Sequence, residues 1–172
     1  MEDKVTQFRN AAHFLAVEVD GFIADYKDEK WINMGGDISG LEFHLADIEL
    51  EVQREVCDGR FISFSLREIA KKAMRGYIFI GGNDISANAL ANQMTDLYAR
   101  KNRDYGNSFD KSMDKFGLVV AAIRIGDKVN RLQSLIAKGG AEVKDESLAD
   151  TFIDLACYSI MTLMWCDDQI EK

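Results

Sequence analysis

The stretch DESLADTFIDLACYSIM, residues 145–161, decides the fold because it reads as one helix that is apolar on more than one side. Its carboxylates Glu146, Asp150 and Asp154 are four residues apart and therefore share one helix face. From position 152 onward the other residues are almost all apolar. They form more apolar surface than one neighbouring helix would cover. We predict a helix over residues 144–168 that packs against several partners, either the N-terminal helices or a second subunit.

Apolar residues recur every three or four positions elsewhere in the chain, which predicts further helices. The predicted helices cover residues 5–26, 41–57, 65–74, 86–102 and 119–138. Stretch 33–40 breaks the period, 105–117 reads as a polar loop, and Gly139-Gly140 makes the last two helices antiparallel neighbours. Residues 76–82 are either a lone strand or an apolar connector, and periodicity does not decide between them.

Composition supports an all-α fold of ordinary domain size. The chain has 172 residues, 47% of them hydrophobic, and no proline. This composition permits long uninterrupted helices and a core without disulfides. A change of character near Gly81 separates an N-terminal helical segment, residues 1–81, from a C-terminal helical domain, residues 82–172.

Charge and cysteine content disfavour several classes of protein. The formal net charge of −8 disfavours non-specific binding to nucleic acid, which rewards clustered lysine and arginine, but leaves room for a local pocket for a small anion. Cys57, Cys157 and Cys166 form no CxxC pair, so we expect free thiols rather than zinc or disulfides. A charged N-terminus and the lack of an apolar run of roughly 18 residues predict a cytoplasmic protein.

The three carboxylates of the last helix repel one another unless something positive lies between them. A divalent cation such as Mg²⁺ fits, because it takes one or two carboxylates together with water and phosphate oxygens. Two other interpretations stay open. Asp154 interrupts an apolar face, where an arginine or a backbone amide also satisfies a buried carboxylate, and acids near a helix start suit the helix dipole.

Two upstream segments bring positive charge. On helix 119–138, Arg124, Asp127 and Arg131 are three and four residues apart. They form either a solvated ion-pair ladder or a further metal ligand flanked by two phosphate-binding guanidinium groups. Residues 100–105 combine three cations with a tyrosine, which suits either the end of a helix or an anion.

Three stretches in this order resemble the nucleotide modification associated domain 1 family, which is common in phage and prophage genomes: KNRDYGNSF (101–109), RIGDKVNRL (124–132) and DESLADTFIDLACY (145–158). More distantly, residues 94–166 resemble the all-α nucleoside triphosphate pyrophosphohydrolases of the MazG and dimeric dUTPase type. The resemblance implies a helical bundle of that type with an N-terminal helical extension.

The resemblance also implies a metal-dependent enzyme that cleaves nucleoside triphosphates, with deoxynucleotides as favoured substrates, into a monophosphate and pyrophosphate. In a phage it would adjust the nucleotide pool. The carboxylates expected to hold Mg²⁺ or Mn²⁺ and to orient water are Asp127, Glu146, Asp150 and Asp154. The residues expected to contact substrate are Lys101, Asp104, Tyr105, Arg124, Lys128 and Arg131.

The chain departs from the pyrophosphohydrolase pattern of ExxE on one helix and ExxD on the next. Arg124 and Ser147 stand where the two motifs have their first glutamates, and Glu146 and Asp154 are the nearest replacements. These departures favour a second hypothesis, a nucleotide-binding or host-interaction protein without turnover. In either case we expect a homo-oligomer, at least a dimer, because enzymes of the resembled type build their active sites close to subunit contacts.

Overall fold

The structure is a computed structural model that describes residues 3–25, 30–54, 59–81, 85–138 and 147–170. In these segments every regular element is an α-helix, which confirms the predicted all-α fold. The helices are α1 (Lys4–Asp25), α2 (Lys30–Val52), α3 (Gly59–Gly81), α4 (Ala87–Tyr105), α5 (Ser108–Phe116), α6 (Val119–Lys138) and α7 (Leu148–Ile170).

Most of the apolar stretch 145–161 lies in α7, the helix against which most of the others pack. Its buried residues include Phe152, Leu155 and Ile160. The helix packs most extensively on α3, next on α6, and also touches α1, α4 and α5. Its several apolar faces are therefore covered by helices of the same chain.

All seven helices contribute to one hydrophobic core. Helices on both sides of Gly81 supply it, because α3 packs on α7 and α1 packs on α4. Fully or almost fully buried members, one from each helix, are Phe8, Leu41, Ile69, Met94, Met113, Ile125 and Phe152.

The predicted break at residues 33–40 is wrong, because α2 begins at Lys30 and continues through this stretch. Each glycine inside a helix costs up to about 1 kcal/mol relative to alanine. A buried ion pair between Asp37 and Arg75 ties this part of α2 to α3, with Arg75 Nε 2.8 Å from Asp37 Oδ2. Gly40 also leaves room for Lys72, whose side chain would overlap a Cβ at position 40.

Helix α3 is longer than predicted at both ends, and the stretch proposed as a strand or connector is helical as far as Gly81. The reason lies in its packing, since Gly76 lets α3 approach the Phe152 ring of α7 so closely that a Cβ at position 76 would overlap the ring. The contact with Phe152 therefore outweighs the local pattern of glycine and β-branched residues, which had indicated a strand or connector.

The bounds of α6 and the start of α4 follow the local sequence signals. Helix α6 has the predicted bounds, and α4 begins after the N-cap Ser86, whose hydroxyl accepts from the backbone N–H of Ala89. The predicted polar loop 105–117 is wrong, because α5 occupies most of it. Several predicted features lie outside the described residues. They are the helix ends at Tyr26 and Cys57, the glycine at position 82, and residues 139–146, which include Gly139-Gly140.

By length and composition α7 could also cross a membrane, and it is the one such helix among the described residues. Within the protein 56% of its most apolar window is buried. A central helix of a helical bundle meets the same two criteria.

Replacing Gly76 by alanine tests the α3–α7 contact. Because Phe152 is 1% exposed and has little room to move, we expect Gly76→Ala to lower the free energy of unfolding by about 1–3 kcal/mol. Gly126→Ala is the matched control, since its Cβ would meet Leu45 at an ordinary 3.8 Å. Urea unfolding followed by far-ultraviolet circular dichroism measures both, and equal losses would contradict the proposed contact.

Candidate functional site

A cavity of about 350 Å³ lies where α4, α5, α6 and α7 meet. Its size is at the lower end of the range for small-molecule sites, about 300–1,000 Å³. The wall combines charged side chains with aromatic rings. The lining residues are Leu97, Tyr98, Lys101, Asn102, Tyr105, Ser108, Phe109, Arg124, Asp154, Cys157, Tyr158 and Met161.

The turn between α4 and α5 places two aromatic residues on this wall. Gly106 ends α4 in the left-handed conformation, with φ of 58°, and donates its backbone N–H to the Asn102 carbonyl. Asn107 follows with φ of 59°, a value that asparagine tolerates better than most residues. As a result Tyr105 stands at the end of α4, 69% exposed, while Phe109 is half-buried in the first turn of α5.

The other rings of the wall are held by aromatic neighbours. Tyr98 stacks nearly parallel on Phe8 of α1, with ring centroids 4.4 Å apart. Phe109 packs on Tyr158 of α7 at 5.8 Å, with the ring planes tilted by 40°. The wall therefore contains three supported rings and the exposed ring of Tyr105.

Two lysines hold Asp154, the carboxylate that interrupts the apolar surface of α7. Lys101 Nζ lies 3.2 Å from Asp154 Oδ1, and Lys128 Nζ lies 2.9 Å from Oδ2. Burial by itself would lower the pKa of Lys101, but the charge of Asp154 and the hydrogen bond to it outweigh burial and raise that pKa above its usual value. Asp154 is thus paired with positive charges, which is one of the alternatives that the sequence left open. Its partners are two lysines and not an arginine.

The basic residues of α6 face α7, and the two helices run antiparallel as predicted. Lys128 meets Asp154, whereas Arg131, one turn further along α6, donates from Nε to Thr151 Oγ1 at 3.2 Å. Arg124, one turn earlier, reaches the cavity wall. The spacing of four and three between these cations places them on one helix face.

Asp150 caps the N-terminus of α7 and is not part of the cavity wall. Its carboxylate accepts hydrogen bonds from the Ser147 hydroxyl at 2.7 Å and the Ser147 backbone N–H at 3.0 Å. The Ser147 hydroxyl accepts in turn from the Asp150 backbone N–H at 3.1 Å, which is a reciprocal N-terminal cap. These hydrogen bonds, led by the one from the Ser147 side chain, lower the pKa of Asp150.

The other predicted residues have different positions. Asp104 and Asp127 are exposed and are not part of the cavity wall, and Glu146 lies outside the described residues. Among the described residues no three acidic, histidine or cysteine side chains are placed to hold a metal ion together. The four-carboxylate set therefore stays a prediction.

Sequence reasoning missed the α7 residues beside Asp154, although a signal was available. Cys157, Tyr158 and Met161 follow Asp154 by three, four and seven positions, which places all four on one helix face. Burial, and then the charge of Asp154, raises the pKa of the Cys157 thiol to about 12, against an opposing effect of Lys101. Burial thus favours the protonated thiol, and Cys157 forms part of the cavity wall.

Comparison with known proteins finds a similarity in the C-terminal part of the chain. Residues 101–165 match the family model described as nucleotide modification associated domain 1, the family that the sequence resembles. No curated protein and no solved structure matches the chain. The more distant likeness to the MazG and dimeric dUTPase enzymes is not confirmed. The matched segment contains most of the cavity wall.

The phenol of Tyr98 provides a test of the cavity's burial. Burial, and then the charge of Asp110, raises the pKa of Tyr98 from 10.0 to about 12. Between these values the unfolded chain releases a proton that the folded chain keeps, so stability should fall as pH rises from about 10 towards 12. Urea unfolding across this range should show a shallower fall for Tyr98→Phe than for the unsubstituted protein. Equal slopes in the two proteins would contradict the burial.

Proposed function

We propose that the nucleotide modification associated domain of this chain binds a nucleotide in the cavity between α4, α5, α6 and α7. The observation that carries the proposal is a wall on which Lys101 and Arg124 stand beside the exposed ring of Tyr105. Lysine and arginine bind phosphate oxygens through charge-assisted hydrogen bonds. Aromatic rings stack on nucleobases irrespective of base identity, at about 1–3 kcal/mol per base.

Charge at the cavity favours an anion although the chain as a whole is acidic. The wall and its immediate ion-pair partners contain one carboxylate, Asp154, and three cations: Lys101, Lys128 and Arg124. The local sum is positive, whereas the formal charge of the chain is −8. A bound phosphate would contact Lys101 and Lys128, which also bind Asp154, and would in addition contact the Arg124 guanidinium.

Hydrolysis of a bound triphosphate, preferably a deoxynucleotide, is the second candidate, and the position of Asp154 among these cations favours it. A water oxygen would attack the α-phosphorus, the bond from that phosphorus to the bridging oxygen would break, and pyrophosphate and a proton would leave. Lys101 and Arg124 would stabilise the charge that develops on the leaving pyrophosphate. Mg²⁺ or Mn²⁺, when bound, would supply further neutralisation and orient the water.

A metal-dependent reaction places a demand on Asp154. A divalent cation that ligated Asp154 would compete with Lys101 and Lys128 for the carboxylate, because each of its oxygens already contacts one ammonium group. Asp150 would likewise exchange its hydrogen bonds from Ser147. A protein that only binds nucleotides, or that uses them in contacts with a host partner, needs neither exchange.

Titration calorimetry with the canonical nucleoside and deoxynucleoside triphosphates tests the binding. With EDTA present, we expect Lys101→Gln to weaken binding about tenfold or more, which corresponds to about 1.4 kcal/mol. Arg100→Gln is the matched control, because Arg100 is exposed next to Lys101 and is not part of the wall. Equal affinities of both variants and the unsubstituted protein would exclude this cavity as the binding site.

Asp154→Asn separates binding from hydrolysis, with pyrophosphate release in Mg²⁺ or Mn²⁺ as the second readout. If the chain is a hydrolase, this variant should lose turnover while keeping its helical circular dichroism. If the chain only binds nucleotides, no pyrophosphate should appear, and the variant should bind more tightly because Lys101 and Lys128 lose their internal anion. Turnover that survives in Asp154→Asn would contradict the role of Asp154 in hydrolysis.

A further inference from the structure

The cations of the cavity are gathered on one side of it. Lys101 of α4 and Lys128 of α6 both bind the Asp154 carboxylate of α7, at 3.2 Å and 2.9 Å. Arg124 precedes Lys128 by one turn on the same face of α6 and lines the cavity. We name this side, defined by Lys101, Lys128, Arg124 and Asp154, the phosphate end of the cavity.

Asn102 of α4 lines the same cavity but points away from the phosphate end. Successive residues of a helix turn by about 100°, so the Asn102 side chain leaves α4 about 100° away from Lys101, whose ammonium group binds Asp154. Tyr105 lies one turn further along α4 and projects between these two directions. A base that stacks on the Tyr105 ring would therefore lie between the phosphate end and the Asn102 amide.

The side-chain amide of Asn102 is available to a ligand. The backbone carbonyl of Asn102 accepts the N–H groups of Gly106 and Asn107, which close the turn after α4. Its half-buried amide, in contrast, has no hydrogen-bond partner within the described part of the chain. The nearby amide of Asn107 differs, because it donates to Asp110 at 3.1 Å. A polar group of this kind binds water or a ligand.

An amide is suited to recognise the edge of a nucleobase. Its oxygen accepts hydrogen bonds and its nitrogen donates two, and each base presents neighbouring donors and acceptors in its own arrangement. Proteins that bind single bases combine such hydrogen bonds with an aromatic ring that stacks on the base. Asn102 and Tyr105, three positions apart on α4, provide this combination in the cavity wall.

We propose that Asn102 recognises the base of the bound nucleotide and makes the cavity selective among bases. This inference rests on the proposed function, since it requires that the cavity binds nucleotides. The phosphates lie at the phosphate end, the base stacks on Tyr105, and the Asn102 amide forms two hydrogen bonds with the edge of the base. A base whose edge satisfies only one of these hydrogen bonds binds more weakly, because part of the amide then stays unpaired.

Titration calorimetry with the four canonical deoxynucleoside triphosphates, with EDTA present, tests this selectivity. We expect the tightest-binding of the four to bind about tenfold or more better than the weakest, as one contact through two hydrogen bonds provides. Asn102→Leu keeps a similar shape without a polar group and should remove most of this difference. Asn130→Leu is the matched control, because Asn130 is exposed on α6 and is not part of the wall, and it should keep the full difference.

Failure of this inference is distinguishable from failure of the nucleotide site. Binding of all four nucleotides with equal affinity, or selectivity that survives Asn102→Leu, would overturn the role of Asn102 and leave the nucleotide site standing. No binding of any of the four by the unsubstituted protein would overturn both.

Inorganic tripolyphosphate, which has no base, tests the two sides of the cavity separately. We expect Lys101→Gln to weaken its binding about tenfold or more, because Lys101 belongs to the phosphate end, and Asn102→Leu to leave its binding unchanged. Circular dichroism verifies the helical fold of each variant, and Asn102→Ala, a smaller replacement that favours a helix, repeats the test if leucine disturbs the packing. Weaker tripolyphosphate binding by both Asn102 variants would overturn the proposal, and no binding by the unsubstituted protein would contradict the phosphate end itself.

Discussion

The crossing of α3 and α7 at Gly76 and Phe152 is the contact on which the rest of the structure depends. With no side chain at Gly76, the Phe152 ring reaches the backbone of α3 and is buried there. Successive residues of a helix turn by about 100°, so Asp154, two residues on, points away from α3. The same contact that completes the core therefore turns the carboxylate towards α4 and α6, where Lys101 and Lys128 receive it.

Local patterns predicted α1, α4, α6 and α7 well, missed α5, and misplaced the bounds of α2 and α3, the last for a physical reason. Helix α6 has a clear apolar stripe, and Ile125, Val129 and Leu132 are buried as that stripe indicates, although Ile136 is 38% exposed. In α2 and α3 the glycines suggested ends because they weaken an isolated helix. They lie inside helices because distant partners compensate, the Asp37–Arg75 pair in one case and the Phe152 ring in the other.

The candidate site was predicted in part. Spacing identifies residues that share a helix face. It could not group Lys101, Arg124 and Asp154, which lie on three helices, and their expected roles in one site came from the family resemblance; all three line the cavity. It does not say which way a face points, so Asp127 is exposed although it lies only three residues from Arg124. Nor does it distinguish a ligand from a cap, and Asp150 is held by Ser147 at the start of α7. Tyr158 was missed because the cavity appears only when α4, α5 and α6 pack beside α7.

Helix α1 supports the cavity wall from outside the cavity. On its buried side Phe8 supports Tyr98, a ring of the cavity wall, with centroids 4.4 Å apart, and α1 packs more extensively on α4 than on any other helix. Phe8 and Tyr98 both lie outside the segment that matches the family model, residues 101–165. The cavity wall is therefore completed by parts of the chain that the matched segment does not include.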